Sequence, residues 1–540
     1  MIAVSEAWKA AQGGRLVPVT DISITYTVTE PFLQDDATST GDPAESWSRP
    51  GVIVALEADK STTKIATLEW NMFRLDGSFV LKADGYQEAG YVSSVLCDGN
   101  GVFQVVPTMT ISFSEVHTGY LPGMKFTWNE TLGEYATRFR IRSWNGNTQL
   151  SEHLVEGNTK VVVNEEFTIQ GYNKVTIEIL AWSKPYRRAR MSEVFLGLQQ
   201  VYGKNDLLGY SHEQTADLLS AELPKNAIEF KLNNVDQRWN PDNPQGVERY
   251  LMERQTLVVK YGMEVNGAME WINAGTFYMS EWDTPANGLE ATFVARDLLE
   301  FCSDDYTGMK TGTLAAVAKA ALAQALITEE QYILDPALDG ISTNFTEEDT
   351  VSIAEVLQMV ANAGQCCMWQ DRDGVLHIER LTETLTDYVI GRLTDSGASA
   401  VGAMAMGLDD ELDMGAVVPY SAVSNAYAHP EFTLSKQLKS VDVNEGMATA
   451  VNSTEGNIQT LDNPLVIDTA TANAVAEWCR NVLKNRKTVS GEFRADPRLD
   501  VLDQVRVGSR YGASKVYVTN VRYDYNGAWR GSYEGRVMDE

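Results

Sequence analysis

The chain has 540 residues with ordinary apolar (44%) and charged (22%) content, enough for about three or four globular domains and unlike a disordered chain. Its 44 Lys and Arg face 74 Asp and Glu, a formal charge of −30. That balance argues against nucleic acid or an anionic membrane as the main partner, since both reward positive charge.

The first residues, Met1 to Lys9, carry no basic stretch followed by an apolar run, so no secretory signal is expected. No apolar run approaches the roughly 20 residues that span a bilayer. Synthesis in a cytoplasm is the expectation. The five cysteines, at 97, 302, 366, 367 and 479, follow neither metal nor disulfide-scaffold spacing. The adjacent Cys366 and Cys367 read as opposite faces of a strand.

Asp21 to Val28 alternates polar and apolar residues at period two, which predicts a half-buried strand. Gln34 to Pro50 is rich in Asp, Ser, Thr, Gly and Pro and is expected to be a mobile loop. Ala66 to Asn71 resumes the strand pattern. From about residue 84 to 200, short alternating segments recur at Met109–Phe113, Met124–Trp128, Thr137–Ile141, Lys160–Val163 and Lys174–Trp182. This spacing predicts a β-sandwich of jelly-roll type. Within it, Trp128, Arg138, Arg140, Trp144 and Asn145, with Trp182, are residue types that stack on and hydrogen-bond sugars; the same aromatics also suit a sandwich core. Arg187, Arg188 and Arg190 stand out in an acidic chain. They either pair with local acids or anchor the sandwich to an acidic neighbour.

The stretch Phe230 to Pro244, FKLNNVDQRWNPDNP, runs from a short apolar strand into a cluster of Asn, Asp and Pro. Asn and Asp side chains bond nearby backbone amides and Pro fixes its own φ, so a rigid turn is predicted. Strand patterns return at Gln255–Tyr261, near Trp271 to Trp282, and at Ala291–Asp297. Thr313 to Ile327 is an Ala-rich helix with Leu314, Val317, Ala321 and Leu322 on one face. Ser352 to Ala363 is a second helix, opened by a Ser352/Glu355 capping box and closed by Gly364. Asp371 to Gly374 joins two short strands in a hairpin. Met404 to Met414 reads as a loop and Val423 to His429 as a strand. Thr469 to Lys487 is a third helix. Strands close the chain at Val501–Val507 and Lys515–Tyr525, after an Asp/Pro corner at Phe493–Asp500.

Enzyme signatures are missing from the sequence. There is no His-Glu-x-x-His zinc motif, no G-x-x-x-x-G-K-[ST] phosphate loop and no G-x-S-x-G elbow. The five His, at 117, 153, 212, 377 and 429, are scattered. His377 and Glu379 share a strand face and read as packing rather than ligation. Asp371-x-Asp373-Gly374 resembles the start of a calcium loop, but Thr382 stands where the closing Glu belongs. Carboxylate pairs such as Asp304–Asp305 and Asp409–Asp410 are expected by chance in so acidic a chain. No catalytic residue, cofactor or metal is expected.

One set of motifs resembles a known family. Phe230-x-Leu232-Asn233-Asn234-x-Asp236-x-Arg238-x-Asn240-Pro241-x-Asn243-Pro244-x-Gly246 is similar to the tail hub (baseplate hub) proteins of bacteriophages. Ala274-Gly275-Thr276-Phe277-Tyr278, Ala295-Arg296-Asp297-Leu298 and Phe493-Arg494-x-Asp496-Pro497-Arg498-x-Asp500 fit the same pattern. The resemblance covers roughly 1–83 and 201–540. It implies a mainly β chain with a smaller α/β part. The N-terminal hub β-barrel would span 1–83 and 201–300, an α/β domain 301–395, and a second hub barrel 396–540. Residues 84–200 would be an inserted carbohydrate-module-like sandwich, although the His-x-Asn-x-Arg motif of galectins is absent.

By that resemblance the chain is a virion structural protein of the tail tip. It would form a homotrimeric ring joining the tail tube to the tip, with no C-terminal hydrolase after Glu540. Implied partners are a distal tail protein or tail tube ring, the tape-measure protein, and tail fibre or tip proteins. Genomic DNA would pass only transiently, and an acidic lumen would let it slide. The alternative is a receptor-binding or adhesin protein recognising host cell-wall glycans through the sandwich.

Overall fold

The computed structural model describes residues 1–12, 18–30, 33–54, 64–240, 242–243, 254–285, 288–344, 350–382, 389–390, 430–493, 495–509 and 512–538. The loop at Met404–Met414, the strand at Val423–His429, and Pro241, Pro244, Gly246, Asp409, Asp410 and Arg494 lie outside the described residues. The chain is mainly β with a smaller helical part. It divides into two compact units: 1–24, 202–240 and 257–540 form the larger, and 25–201 with 241–256 the smaller.

In the larger unit, one sheet runs in order through Thr256–Val265, Ala268–Asp283, Glu290–Arg296, Lys225–Asn233, Leu207–Thr215, Gly512–Tyr525, Trp529–Val537, Lys487–Phe493 and Glu431–Leu434. Two strand groups, one from each half of the chain, therefore share a single hydrogen-bonded sheet. Leu207–Thr215 makes the join. It pairs antiparallel with Lys225–Asn233 on one side and with Gly512–Tyr525 on the other. Alternation explains the burial: Ile228, Phe230 and Leu232 are covered, as are Ala291, Phe293 and Ala295 on the neighbouring strand.

Two of the three longest helices lie between the two groups in sequence, and the third lies within the second group. Leu314–Gln324 starts at Thr313, whose hydroxyl accepts the Ala316 N–H. Ile353–Ala363 carries the full Ser352/Glu355 capping box and ends at Gly364. Thr469–Leu483 is capped by Asp468 and is shorter than its pattern suggested, because Lys487 already opens the next strand. These three helices bury Val317, Leu357, Val360 and Val475 in one core. The hairpin expected at Asp371–Gly374 joins Cys367–Gln370 to Leu376–Glu379, with Gly374 at φ 87°.

The smaller unit is a β-sandwich. A five-stranded sheet runs Thr148–Glu156, Ala136–Asn145, Tyr172–Trp182, Thr108–His117, Thr38–Asp42. A three-stranded sheet runs Val162–Ile169, Leu121–Thr127, Glu193–Leu196. Met109, Phe126, Phe139, Ile177 and Val194 fill a shared core.

Two expectations from the sequence are corrected here. Gln34–Pro50 is not a loop: Thr38–Asp42 is an edge strand paired with Thr108–Ser112. Its Gly41 is required by packing, since a Cβ there would lie 2.4 Å from the Tyr91 ring. Ala66–Asn71 is not a continuous strand. Only Ile65–Ala66 is strand, and beyond it Glu69 is buried while Leu68 and Trp70 are exposed. An apolar pattern misleads where an ion pair carries a carboxylate inward.

Candidate functional site

The sugar-like residues of the sandwich are only partly brought together. Strand Ala136–Asn145 sets Arg138, Arg140, Arg142 and Trp144 at alternate positions, so they share one face. Trp128 is not among them. It is fully buried, stacked on Phe126 at 6.0 Å and edge-on to Trp182 at 5.9 Å. Trp128 and Trp182 are both part of the buried core of the sandwich.

The shared face is a ladder of paired charges. Arg140 donates to Glu178 through Nε at 3.0 Å, and Arg142 donates to Glu152 through Nε at 2.8 Å and to Glu178 through Nη1. The Trp144 indole N–H donates to the Thr176 hydroxyl at 3.1 Å, and the Lys174 ammonium sits 5.1 Å from its ring centroid. Asn145 donates to the Gly171 carbonyl at 3.1 Å. Arg138 is exposed and has no ion pair among the described residues. Cross-strand pairing thus occupies most of the groups that a sugar would need.

The basic cluster turns inward. Arg187 Nη2 lies 3.1 Å from Glu134, and Arg188 Nη2 lies 2.8 Å from Glu45. Arg190 grips Glu69 with both terminal nitrogens, one at 2.9 Å. Burial pushes the Glu69 carboxyl up, but the Arg190 bonds outweigh it and hold the group below the usual carboxylate range. Glu69 also accepts the Arg188 backbone N–H at 2.8 Å. The local acids thus take the three guanidiniums that were candidates for anchoring to a neighbour. Glu45, Glu69 and Glu134 were not singled out in the sequence, because nothing in their spacing marks them as buried.

In the larger unit the motif corners are locked by buried polar groups. Asn234 is fully buried and its side-chain oxygen accepts the Trp239 N–H at 2.9 Å. Asn233 and Asp236 accept the N–H groups of Val235 and Arg238. At the second corner, Arg372 is 3% exposed and donates to Asp500 at 2.9 Å and to the carbonyls of Pro497, Leu499 and Asn273. The Tyr523 hydroxyl sits between the Asp496 and Leu499 carbonyls, at 2.9 and 2.7 Å.

A buried relay crosses this sheet. Tyr210 O–H lies 3.0 Å from Tyr261 O–H, which lies 2.7 Å from His212 Nδ1, and His212 Nε2 lies 2.7 Å from the Asn226 side-chain oxygen. Since that oxygen only accepts, Nε2 carries the proton and Nδ1 accepts from Tyr261. Burial drives the His212 pKa down to about 4, so the ring is neutral. Two other histidines are clamped by carboxylates. His117 lies between Glu30 and Asp36, and His377 between Asp371 and Glu379 with its ring stacked 4.7 Å from Trp369. His153 lies 3.4 Å from Glu165. Among the described residues no group of three or more His, Cys, Asp or Glu is arranged to hold a metal ion. All five cysteines are buried and free. No described helix is long and apolar enough to cross a membrane.

The fold is thus of the mainly β class, with a helical part and a sandwich. No protein-family profile and no curated protein matches the chain. Among solved structures, it is similar to the 43 kDa tail protein of prophage MuSo2 from Shewanella oneidensis, at 12% identity over 62% of this chain and 94% of that one, TM-score 0.39. It is also similar to a tail protein from Neisseria meningitidis MC58, at 11% identity over 63% and 94%, TM-score 0.41. A third is prophage tail protein gp18 from Listeria monocytogenes EGD-e, at 11% identity over 63% and 91%, TM-score 0.36.

Proposed function

We propose that the chain is a non-enzymatic structural subunit of a phage tail tip, a hub that assembles as a homotrimer and resides in the virion after synthesis in a bacterial cytoplasm. One observation supports this most. Two strand groups from opposite halves of the sequence meet edge to edge through Leu207–Thr215, with the helices Leu314–Gln324 and Ile353–Ala363 between them in sequence. Two strand groups per subunit would give a trimer six wall segments, which would let a three-fold ring meet a six-fold tube. The turn motifs that prompted the resemblance fall at corners fixed by Asn234, Arg372 and Asp496, and so serve shape rather than reaction. Asp496 is fully buried and engaged by Arg498, which supports a structural role at the corner.

In this reading the ring would join or close the tail tube, bind a distal tail protein or tube ring together with tape-measure and fibre or tip proteins, and take part in host attachment and DNA passage. Electron microscopy of the purified chain tests the geometry. Three-fold rings with six wall segments are expected. Particles of one subunit only, in the presence of the tail-tube protein as well, would remove the hub reading.

A further inference from the structure

Residues 64–82 of the sandwich unit are arranged inside out. The segment folds back on itself. Ile65–Ala66 runs parallel to Val80–Leu81, and the Thr67 and Met72 N–H groups donate to the Met72 and Glu69 carbonyls at 3.1 and 3.2 Å. A carboxylate, Glu69, is buried here beside Ile65 and Met72. Leu68, Trp70, Phe73, Leu75, Val80 and Leu81 are exposed instead, Leu68 fully and Leu75 at 91%. Single exposed apolar side chains are ordinary, but six large ones on one short segment mark an interaction surface. Their summed exposure is about one partner's share of a standard protein interface, roughly 800 Å².

This arm is held in place from beneath. Glu69 takes both terminal nitrogens of Arg190, the Arg188 backbone N–H at 2.8 Å and the Thr67 hydroxyl at 2.7 Å. Further along, the Val80 N–H donates to the Lys64 carbonyl at 3.0 Å, and the Ser78 N–H to the Asp76 carboxylate at 2.9 Å. The buried ion pair occupies the inner side, where the apolar side chains of an isolated domain would go. The outer side is thereby fixed before any partner arrives, so docking on it costs little ordering of the chain.

Charge selects what covers the arm. Lys64, Arg74 and Lys82 are exposed on it and form no ion pair among the described residues; the Lys82 ammonium lies 5.5 Å from the Trp47 ring centroid. Of the segment's two acids, Glu69 is taken by Arg190, which leaves only Asp76. The arm is therefore an apolar, basic strip on a chain of formal charge −30. It fits an acidic protein surface, and a second copy of this chain supplies one. The same net charge repels an anionic lipid surface. Two arms laid face to face would oppose like charges, so the arm of one copy meets a different face of its neighbour. A contact of that kind can close into a ring. We propose that residues 64–82 form an interaction arm that docks on a neighbouring copy of this chain, with Leu68, Trp70, Phe73 and Leu75 as its apolar contacts and Arg74 as its charged one. The number of copies rests on the hub reading above; the arm contact does not.

Sedimentation velocity of the full chain over a concentration series tests it. The wild-type chain is expected to self-associate. Leu75→Asp and Phe73→Ser alter only exposed side chains, so each should weaken association about tenfold or more while near-UV circular dichroism stays unchanged. Arg74→Glu should weaken it most at low salt, and wild-type association should itself weaken as salt rises. If an apolar variant fails to fold, Arg74→Glu carries the test. A trimer that none of the three variants weakens would overturn the arm and leave the hub reading standing. An assembly of another size that the variants break would support the arm and remove the trimer. A chain that stays monomeric at every concentration, or that instead binds phosphatidylglycerol vesicles through the arm, would overturn the proposal.

Discussion

The two units use buried arginines differently. In the larger unit, Arg372 makes three of its four hydrogen bonds to backbone carbonyls, those of Asn273, Pro497 and Leu499, and one to Asp500. It fixes the path of the chain at a corner. In the sandwich, Arg187 and Arg190 spend theirs on carboxylate side chains, Glu134 and Glu69. A guanidinium on carbonyls fixes the path of the backbone, whereas one on a carboxylate joins two side chains.

The sharpest way to break this contrast is Arg372→Ala. It leaves Asp500 and three carbonyls without their donor, and loss of one partner of a buried pair should cost about 4–5 kcal/mol. Hydrogen exchange with mass spectrometry should show the loss in the larger unit, with the sandwich peptides unchanged.

Arg190→Met should cost the sandwich about 3–4 kcal/mol by stranding Glu69, which is 4% exposed. Adding Glu69→Leu should recover much of it, since an apolar pair of similar volume often replaces a buried ion pair at little cost. Urea unfolding of the single and double variants measures the recovery. A double variant as unstable as the single would show that the pair also holds its surroundings in place.

Histidines sharpen the comparison by sign. His212 in the larger unit takes its proton near pH 4 when folded, from an ordinary value of 6.5, so the folded state binds fewer protons than the unfolded one across that window. Its contribution is intact above 6.5 and lost as pH falls toward 4, by up to about 3 kcal/mol. His212→Gln should remove that slope. His117 in the sandwich behaves oppositely. Burial lowers its pKa, but its bonds to Asp36 and Glu30 more than compensate, and its net shift is upward. Its contribution is present below 6.5 and lost as pH rises through the raised value. His117→Gln should therefore cost more at roughly pH 5.5 than at pH 8, read by exchange in the segment carrying Glu30 and Asp36. At the small end, Lys225→Ala should shift stability by only about 0.5 kcal/mol, since its bond to Glu213 is solvent-exposed.

How much of this was legible follows from where each signal resides. The helices at 314–324 and 353–363 were readable because their apolar stripes and caps are local, and Ser352/Glu355 forms the expected box. The Asn/Asp turn after Phe230 was readable because each side chain bonds backbone two to five residues away. Trp128 could not be told from a surface tryptophan, since its edge-on contacts with Phe139 and Trp182 join residues of separate strands. Glu69 was hidden for the same reason: its partner Arg190 is 121 residues away.

The proposed trimer is tested most directly by the mass of the full chain in solution, measured by light scattering. A mass near three times 59.7 kDa is predicted. A monomer at every concentration, unchanged when the tail-tube protein is added, would contradict it.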